Sequence, residues 1–435
     1  MGEAMEKRDS GRLVFWGIAM LAIPLWLISF PETTIRNYLK PGPVYGSQVM
    51  ALVGFALFAL TFVLSARIKW MEDYFGGLDK MYHLHHTMAK TALVLLVIHP
   101  IMLAARFLPE ETDRILWYLF PVHRRFEVNL GSWALWGLIL LMLITLVIKI
   151  PYDKWKISHK FMGAFFILGV LHIYFLDLSI VFNPALAIYL AVLSITGVAA
   201  WIYKSILFDW IIEKPRYRVE KADHLNEHVI EITMTPENER VRFIPGQYFF
   251  FSFRNTDLSR ESHPFTVCDE SDNGQIKIMV KALGDYTKQL YRNLKPGAIA
   301  LLEGPYGQFD YRNGKRDQIW IGGGVGIAPF LSFANDLKKQ KDPNFRIDLY
   351  YCVKSESEAI HIQQFKELDE MTKDFQVHLI REDVEGLLSV SDINQIEEKE
   401  IFICGPKTMR EALVPQLKKN GVPNKAIHYE DFDFR

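Results

Sequence analysis

The first half of the chain consists of long apolar stretches separated by short polar loops. Each stretch is roughly twenty residues long, which is enough for a helix to cross about 30 Å of hydrocarbon. The pattern therefore predicts an all-α bundle of six transmembrane helices in a cell membrane. The stretches lie near residues 12–30, 46–67, 82–106, 129–149, 158–177 and 184–206.

Beyond about Arg216 the pattern changes to short alternating strands such as Val229 to Thr233, bounded by Pro, Gly and Asn turns. Past about Asp317 apolar strands alternate with helical segments, which is typical of a parallel βαβ sheet. We therefore predict a multidomain protein. Its parts are a six-helix transmembrane domain at 1–210, a β-barrel domain at 211–315 and an α/β nucleotide-binding domain with a parallel sheet at 316–435.

Basic residues in the short loops predict the orientation of the bundle, because cytosolic loops are enriched in Lys and Arg. We expect the loops after the second and fourth stretches, and with them the second half of the chain, on the cytosolic side. Arg124 and Arg125 in the third loop argue the other way. The basic residues of the two cytosolic loops are Arg67, Lys69, Lys80, Lys149, Lys154, Lys156 and Lys160.

Charge and cysteine content exclude several classes of function. The chain has 49 basic and 50 acidic residues and a net charge of -1, which argues against a nucleic-acid partner. Its three cysteines, Cys268, Cys352 and Cys404, are too few for a disulfide framework or a thiolate-held iron-sulfur cluster. No obligate protein partner is evident from the sequence.

Histidines are concentrated on the third and fifth predicted helices, where ionisable side chains are costly and are functional candidates. His85 and His99 are fourteen residues apart, which puts both on one helix face with about 20 Å between them. His159 and His172 are thirteen residues apart. That spacing turns one about 140° from the other unless the fifth helix is tilted or distorted.

The two helices run in the same direction, so we expect His85 to face His159 at the cytosolic level and His99 to face His172 at the outer level. Paired imidazoles across a bundle suit a low-spin haem iron, whereas zinc prefers four tetrahedral ligands. We therefore predict two bis-histidine haem sites. The alternatives are that the histidines only form hydrogen bonds between helices, and that His86 replaces His85.

Three further residues bear on these sites. Gly163 and Gly169 are the positions where we expect the fifth helix to be distorted. Lys90 lies within the third helix, where it either pairs with a haem propionate or extends to the membrane interface.

The run His263, Pro264, Phe265 and Thr266 combines a donor side chain, an aromatic ring and a hydroxyl on one strand. Such a set can stack on an isoalloxazine ring, bind it by hydrogen bonds and reach a phosphate. We predict a flavin site here.

The segment VKALGDYT, which begins at Val280, places Lys281, Gly284 and Thr287 where a strand passes into a helix. Backbone amides at a helix start, with a hydroxyl beside them, can cradle a pyrophosphate. These three residues are therefore candidates for cofactor binding.

A buried strand, a glycine-rich turn and a helix follow at residues 319–330. Gly324 and Gly326 allow the backbone to approach a phosphate, and Pro329 is tolerated in a first helical turn. Because Pro329 replaces the third glycine of the usual dinucleotide fingerprint, the match to that motif is partial.

The segment IFICGPKTM ends a strand with Cys404, Gly405 and Pro406 and continues to Met409. Ligands bind at the carboxyl ends of such strands, and we expect a nicotinamide ring beside Cys404. Phe432, four residues from the end of the sequence, is expected either to cover the flavin until nicotinamide displaces it or to be mobile.

Taken together, HPFT, GDYT, GGVGIAP, CGPKTM and the terminal aromatic resemble the ferredoxin-NADP reductase superfamily over about residues 216–435. Joined to six helices with paired histidines on the third and fifth, nearly the whole chain is similar to the ferric reductase and NADPH oxidase family. The resemblance implies FAD in the barrel, NAD(P)H on the sheet and two b haems. It also implies His85, His99, His159 and His172 as haem ligands, and it places His263 where many soluble relatives have an arginine.

The expected function is transfer of electrons from NAD(P)H through FAD and two haems to dioxygen on the outer face, yielding superoxide. Ferric-chelate reduction by the same path is the alternative, because Arg106, Arg124 and Arg125 could attract anions. A haem-free, membrane-anchored flavoreductase or partner-docking module is the alternative from another class.

The choice of nicotinamide depends on the residues after the second strand of the sheet. Lys354 and Ser355 lie where a 2′-phosphate is expected and favour NADPH, whereas Glu356 suits the ribose hydroxyl of NADH. We predict NADPH, with NADH as the alternative.

Overall fold

A computed structural model describes residues 2–28, 41–148, 150–176, 183–340 and 344–430 of the chain. The chain divides into two compact units. One comprises Glu6–Ile211, and the other comprises Ile212–Arg435 together with Met1–Met5.

Within the described residues, the first unit has six helical segments that are long and apolar enough to cross a membrane, as the sequence predicts. These spans are Gly11–Ile28, Gly42–Ser65, Leu78–Ala105, Phe126–Leu146, Lys154–Leu176 and Pro184–Ile211. The individual helices are Gly2–Met20, Ala22–Ile28, Pro41–Ser65, Lys69–Phe75, Leu78–Ala105, Ile115–Leu119, Phe126–Leu146, Tyr152–Lys160, Met162–Leu176, Pro184–Ile202 and Phe208–Ile211, and a π-helical turn covers Tyr203–Leu207.

The second span forms the centre of the bundle, because it packs along both the third and the sixth spans. The fourth and fifth spans pack against each other. Phe166 of the fifth span is almost fully buried and contacts Phe55, Phe58 and Phe62 of the second, with ring centroids 5.1 to 5.2 Å apart. These aromatic contacts join the fifth span, which packs against the fourth, to the second span.

A closed antiparallel barrel opens the second unit, with strand order β1-β2-β5-β4-β3-β6. Alternation along β3 explains its core, since Phe249, Phe251 and Phe253 all point into the barrel. Helix Asp285–Asn293 follows β5. The strands are β1 Arg216–His224, β2 Val229–Pro236, β3 Tyr248–Arg254, β4 His263–Glu270, β5 Ile276–Lys281 and β6 Ile299–Tyr306.

A parallel five-stranded sheet follows, with strand order β11-β10-β7-β8-β9. Trp320 packs on one face of β7 and Ile319 and Ile321 pack on the other, so both faces of the sheet are covered. The strands are β7 Asp317–Gly323, β8 Arg346–Val353, β9 Phe375–Arg381, β10 Glu400–Cys404 and β11 Ile427–Tyr429, and the helices are Ala328–Lys339, Ile362–Met371 and Lys407–Lys419.

This strand order positions the candidate nucleotide site. The chain leaves β7 towards β8 on one side and later returns to β10 on the other side of β7. Doubly wound sheets bind ligands where the strand order reverses in this way, at the carboxyl ends of the strands.

Candidate functional site

The four predicted histidines of the bundle come together in two pairs. The ring centroids of His85 and His159 are 6.3 Å apart. His99 and His172 line one cavity of about 450 Å³. The structure thus brings together the same partners that the helix directions predict.

The second span holds the two histidines of the third span through their Nδ1 atoms. His85 Nδ1 lies 2.9 Å from the Thr61 carbonyl oxygen, and His99 Nδ1 lies 3.0 Å from the Ser47 carbonyl oxygen. The Ser47 hydroxyl is also 2.8 Å from His99 Nδ1. Ser47 and Thr61 are fourteen residues apart, the same separation as the two histidines, so both contacts repeat in register along the helix pair.

The fourth span contacts the two histidines of the fifth. His172 Nδ1 is 2.7 Å from the Glu127 carbonyl oxygen, whereas His159 Nδ1 is 3.5 Å from the Thr145 hydroxyl. A Cβ added to Gly131 would come within 2.7 Å of the His172 ring, so glycine is needed for this approach. With Nδ1 engaged, Nε2 is the ring nitrogen left for a ligand.

The fifth span is not one continuous helix. Helix Tyr152–Lys160 ends immediately before Phe161, and helix Met162–Leu176 begins immediately after it. The break therefore lies between His159 and His172, where the thirteen-residue spacing requires a distortion. It is next to Gly163 rather than at Gly169.

The cavity at His99 and His172 is mainly apolar, with a polar set that includes basic side chains. Arg106 donates a hydrogen bond of 2.8 Å to the Tyr118 hydroxyl. Partial burial lowers the pKa of His123, and the backbone amide of Arg125 is bonded to its ring. Lining residues include Ser47, Phe55, Phe58, Arg106, Tyr118, His123, Arg125, Leu135, Phe165 and Phe166. Lys90 is exposed and does not line it.

In the second unit the two glycine-containing loops meet at the carboxyl ends of β7 and β10. A Cβ on Gly326 would lie 2.4 Å from the Cys404 carbonyl oxygen, and a Cβ on Gly405 would lie 2.5 Å from Met409 Cε. Gly324 has a φ of +54°, which side chains rarely adopt. The sequence motifs around these residues therefore form a single site.

Cys404, Pro406 and Pro329 belong to the same two segments, which follow β10 and β7. Cys404 is buried at the end of β10, and burial raises the pKa of its thiol, so the side chain is neutral at physiological pH. Pro406 precedes helix Lys407–Lys419, and Pro329 is in the first turn of helix Ala328–Lys339. Both prolines stand where a helix start tolerates them.

The HPFT run lies at the start of β4 on the barrel. His263 stacks on Tyr286 with ring centroids 4.1 Å apart and bonds to the Glu261 carboxylate at 2.9 Å. Phe265 packs on Phe251 of the barrel core, with ring centroids 6.1 Å apart. The neighbouring Pro264 is half-buried, and Thr266 is buried.

Gly284 and Thr287 form the start of helix Asp285–Asn293. The Thr287 hydroxyl accepts hydrogen bonds of 3.0 Å from the backbone amides of Leu283 and Gly284. Thr287 thus caps the helix in this structure. Lys281, at the end of β5, lies 3.7 Å from the Glu358 carboxylate, and its amine is 3.9 Å from a Cβ built on Gly324.

Arg381 is a candidate that the sequence analysis did not include. It ends β9 and is paired in register with Val353 at the end of β8. Its guanidinium is 3.5 Å from the Glu356 carboxylate and 3.0 Å from that of Glu385. A basic residue at the end of the third parallel strand is the signal that could have identified it. Phe432 lies outside the described residues.

Three family models match successive parts of the chain. A ferric reductase like transmembrane component matches residues 50–170, an FAD-binding domain matches 215–310, and an oxidoreductase NAD-binding domain matches 320–414. The chain has the ferric reductase and NADPH oxidase architecture. It is a multi-pass membrane oxidoreductase with FAD- and NAD-binding domains.

Curated relatives match over part of their length. The reductase component of propane 2-monooxygenase from Rhodococcus jostii (strain RHA1) is 26% identical over 51% of this chain and 64% of the relative. The reductase component of the same kind of enzyme from Mycolicibacterium smegmatis is 26% identical over 51% of this chain and 68% of the relative. A solved flavohemoglobin from Malassezia yamatoensis aligns with a TM-score of 0.49 and 17% identity over 89% of this chain and 96% of that chain.

Proposed function

We propose that the protein is a transmembrane NADPH oxidase that passes electrons through FAD and two b haems to dioxygen on the outer face. One NADPH supplies a hydride, which is two electrons; two dioxygen molecules each take one electron to become superoxide, and a proton is released. FAD supplies the conversion from two-electron to one-electron transfer, and each haem supplies a one-electron carrier. The reductase half is then cytosolic.

The single observation that carries the proposal is the separation of the His85 and His159 rings. A metal–imidazole bond is about 2.0 to 2.1 Å, and the bonding nitrogen lies about 1.1 Å from the ring centre. Two imidazoles on opposite sides of one metal therefore have centroids about 6.2 to 6.4 Å apart. The separation of 6.3 Å fits this value.

The choice of His85 over His86 is supported by the hydrogen bonds. The bond between His85 Nδ1 and the Thr61 carbonyl oxygen repeats the one between His99 and Ser47. Ligating histidines commonly use their second nitrogen in this way, which fixes the ring orientation. We therefore keep His85, His99, His159 and His172 as the proposed ligands.

Four residues on β4 and two at the start of helix Asp285–Asn293 are proposed to form the FAD site. His263 offers its ring on the barrel surface, and helix Asp285–Asn293 directs its positive end towards the same strand region, where a phosphate is favoured. Because Thr287 already caps this helix, we assign it to shaping the turn. The proposed residues are His263, Pro264, Phe265, Thr266, Gly284 and Thr287.

The nucleotide is proposed to bind where the loops after β7 and β10 meet. There the backbone of Gly324 and Gly326 can approach a pyrophosphate, and Lys281 provides a positive charge beside Gly324. Arg381 supports NADPH, because an arginine near the end of the neighbouring strands accommodates a 2′-phosphate. The remaining proposed residues are Pro329, Cys404, Gly405, Pro406 and Met409, with Phe432 stacking on the flavin.

Ferric-chelate reduction is the second candidate function. The cavity at His99 and His172 is lined by Arg106, His123 and Arg125, and such groups favour an anionic chelate. No described metal-binding group of three or more His, Cys, Asp or Glu residues supports a dedicated iron site, which favours oxygen.

Two measurements on purified protein test the proposal. Oxidised and dithionite-reduced absorption spectra should contain the bands of two b haems for each flavin; a protein that stays yellow when haem is supplied supports a haem-free flavoreductase. Superoxide formation and ferric-chelate reduction are then compared with NADPH as donor. Rapid chelate reduction without oxygen consumption would contradict the oxidase assignment.

A further inference from the structure

The break in the fifth span is held by an aromatic side chain of the sixth. We infer that Trp201 is a positioning residue that fixes the backbone beside His159 and thereby the orientation of this imidazole towards its haem. The inference rests on the proposed function, because it concerns a proposed haem ligand.

The break solves a geometric problem that the sequence poses. In a continuous helix, thirteen residues turn His159 about 140° away from the direction of His172. In the structure the helix ends before Phe161 and restarts after it. Both histidines then contact the same neighbouring helix, the fourth span.

A helix end leaves backbone carbonyl groups without intrahelical partners, and these need other donors inside a membrane. The Lys160 carbonyl oxygen accepts a hydrogen bond of 2.8 Å from Trp201 Nε1. The Phe161 carbonyl oxygen accepts from the Ala164 amide at 3.0 Å. Trp201 therefore stabilises the residue that directly follows His159.

Gly163 is matched to this indole. A Cβ on Gly163 would lie 2.1 Å from the Trp201 ring, which is too close for both to remain in place. A second contact joins the same elements, since Lys160 Nζ donates at 3.2 Å to the Ser205 carbonyl oxygen in the π-helical turn. Both the backbone and the side chain of Lys160 are thus bonded to the sixth span.

His159 depends on this support more than the other three proposed ligands do. Each of those has a backbone carbonyl oxygen within 3.0 Å of Nδ1. Among the described residues, the polar contact of His159 Nδ1 is the Thr145 hydroxyl at 3.5 Å, and the His159 ring stacks on Trp155 with centroids 5.2 Å apart. Its orientation is therefore set mainly by backbone position and packing.

The test is Trp201→Phe in the full-length protein loaded with FAD and haem. Phenylalanine keeps an aromatic ring but removes the indole N–H. We expect two haems to remain, while the low-spin EPR signal and midpoint potential of one haem change and those of the other do not. Trp210→Phe is the matched control, because Trp210 is an exposed tryptophan of the same span as Trp201; it should change neither haem.

A second pair of variants tests the contact between the fifth span and Trp201 by changing glycine residues. Gly163→Ala should displace the indole and change the same haem as Trp201→Phe. Gly17→Ala adds the same methyl at an exposed position of the first span, where it meets no atom within 4 Å and does not line the cavity at His99 and His172, so both haem signals should stay unchanged. This pair decides the question if Trp201→Phe does not fold.

The outcomes separate the inference from the proposed function. Trp201→Phe or Gly163→Ala protein with two haems and unchanged EPR signals and potentials would overturn the positioning role while leaving the haem assignment intact. A change of both haems to the same extent also contradicts it, because the effect is then general. Wild-type protein without haem would overturn the proposed function and the inference with it.

Discussion

The candidate site of the first unit is formed by side chains, whereas the candidate nucleotide site of the second unit is formed mainly by backbone. In the bundle, four imidazole side chains project from helices whose backbone hydrogen bonds are satisfied internally. In the parallel sheet, the site is formed by backbone at Gly324, Gly326 and Gly405, where side chains are absent. The interior of a helix shields its backbone and offers only side chains, whereas the loops after strands and the helix starts that follow them expose amide groups that can bind phosphates directly.

The difference predicts opposite sensitivities in the two units. Removing a side chain should damage the bundle site, because the proposed iron ligands there are side chains. Adding a methyl group should damage the sheet site, because the backbone of two loops must approach closely. Variants of each kind therefore test whether the two sites work as described.

The largest effect is expected for His99→Ala in the bundle. Loss of an axial ligand should remove the outer haem and lower the rate of acceptor reduction by about 100-fold or more, since even supporting residues cost 10- to 100-fold. Reduction of FAD by NADPH should continue at its normal rate. Haem content from pyridine haemochrome spectra and stopped-flow flavin bleaching measure the two parts.

His83→Ala is the control for this variant, because His83 is an exposed histidine on the same helix. It should retain both haems. If His99→Ala retains two haems and full acceptor reduction, the bis-histidine assignment at the outer level is wrong.

Gly326→Ala should have the next largest effect. Its Cβ would lie 2.4 Å from the Cys404 carbonyl oxygen, and a backbone atom cannot move aside as a flexible side chain does. We expect a loss of about 1 to 3 kcal/mol in the free energy of unfolding and a severalfold higher Michaelis constant for NADPH. Thermal unfolding and steady-state kinetics measure both.

The matched methyl addition is Gly17→Ala, which lies at an exposed position of the first span and meets no atom within 4 Å. Its unfolding temperature should stay near that of the wild type. Equal destabilisation by the two variants would show that close approach of the loops is not the cause.

The parts of this architecture that depend on local pattern were predictable. Hydrophobic length identified the six spans, alternating polarity identified strands such as β2, and apolar runs between helical segments identified parallel strands such as β10. The pairing of His85 with His159 joins two distant segments, but it was predicted because the spans alternate in direction and the spacing along each helix sets the depth of its histidines. Local periodicity is set by the residues themselves, so sequence alone carries it.

Features that require two distant segments to meet were not predictable in the same way. The distortion near Gly163 was predicted from the spacing of His159 and His172, but the contact of Trp201 with the Lys160 carbonyl oxygen was not. The capping role of Thr287 could be recognised only once the helix start was fixed. Arg381 joins the candidate site because β9 lies beside β8, and strand neighbours in a parallel sheet cannot be read from one strand.

Arg381→Ala tests a side chain in the otherwise backbone-formed site of the sheet, because the Arg381 guanidinium is expected to contact the nucleotide. If the guanidinium binds the 2′-phosphate, its loss removes a charge-assisted hydrogen bond. The Michaelis constant for NADPH should rise by roughly 10- to 100-fold, while that for NADH stays nearly constant. Steady-state kinetics with both nucleotides measure this change.

Glu356→Gln tests the Arg381 guanidinium by neutralising the carboxylate beside it. The Glu356 carboxylate lies 3.5 Å from Arg381 and competes for it, so its neutralisation should lower the Michaelis constant for NADPH. An enzyme that prefers NADH, and whose NADPH kinetics do not respond to either variant, would contradict the choice of nucleotide.

The smallest effect is expected at Asp348, on β8 of the sheet. The His378 imidazole, 3.8 Å away, and a hydrogen bond from Lys399 hold the pKa of this carboxyl below its usual range. A lowered native pKa means that the ionised carboxylate stabilises the fold at neutral pH and that this stabilisation is lost as pH falls through the native value. Asp348→Asn should therefore cost about 1 kcal/mol or less at pH 7. The difference from wild type should shrink below about pH 5, as measured by chemical unfolding of the full-length protein at several pH values; a difference that grows on acidification has the wrong sign for this account.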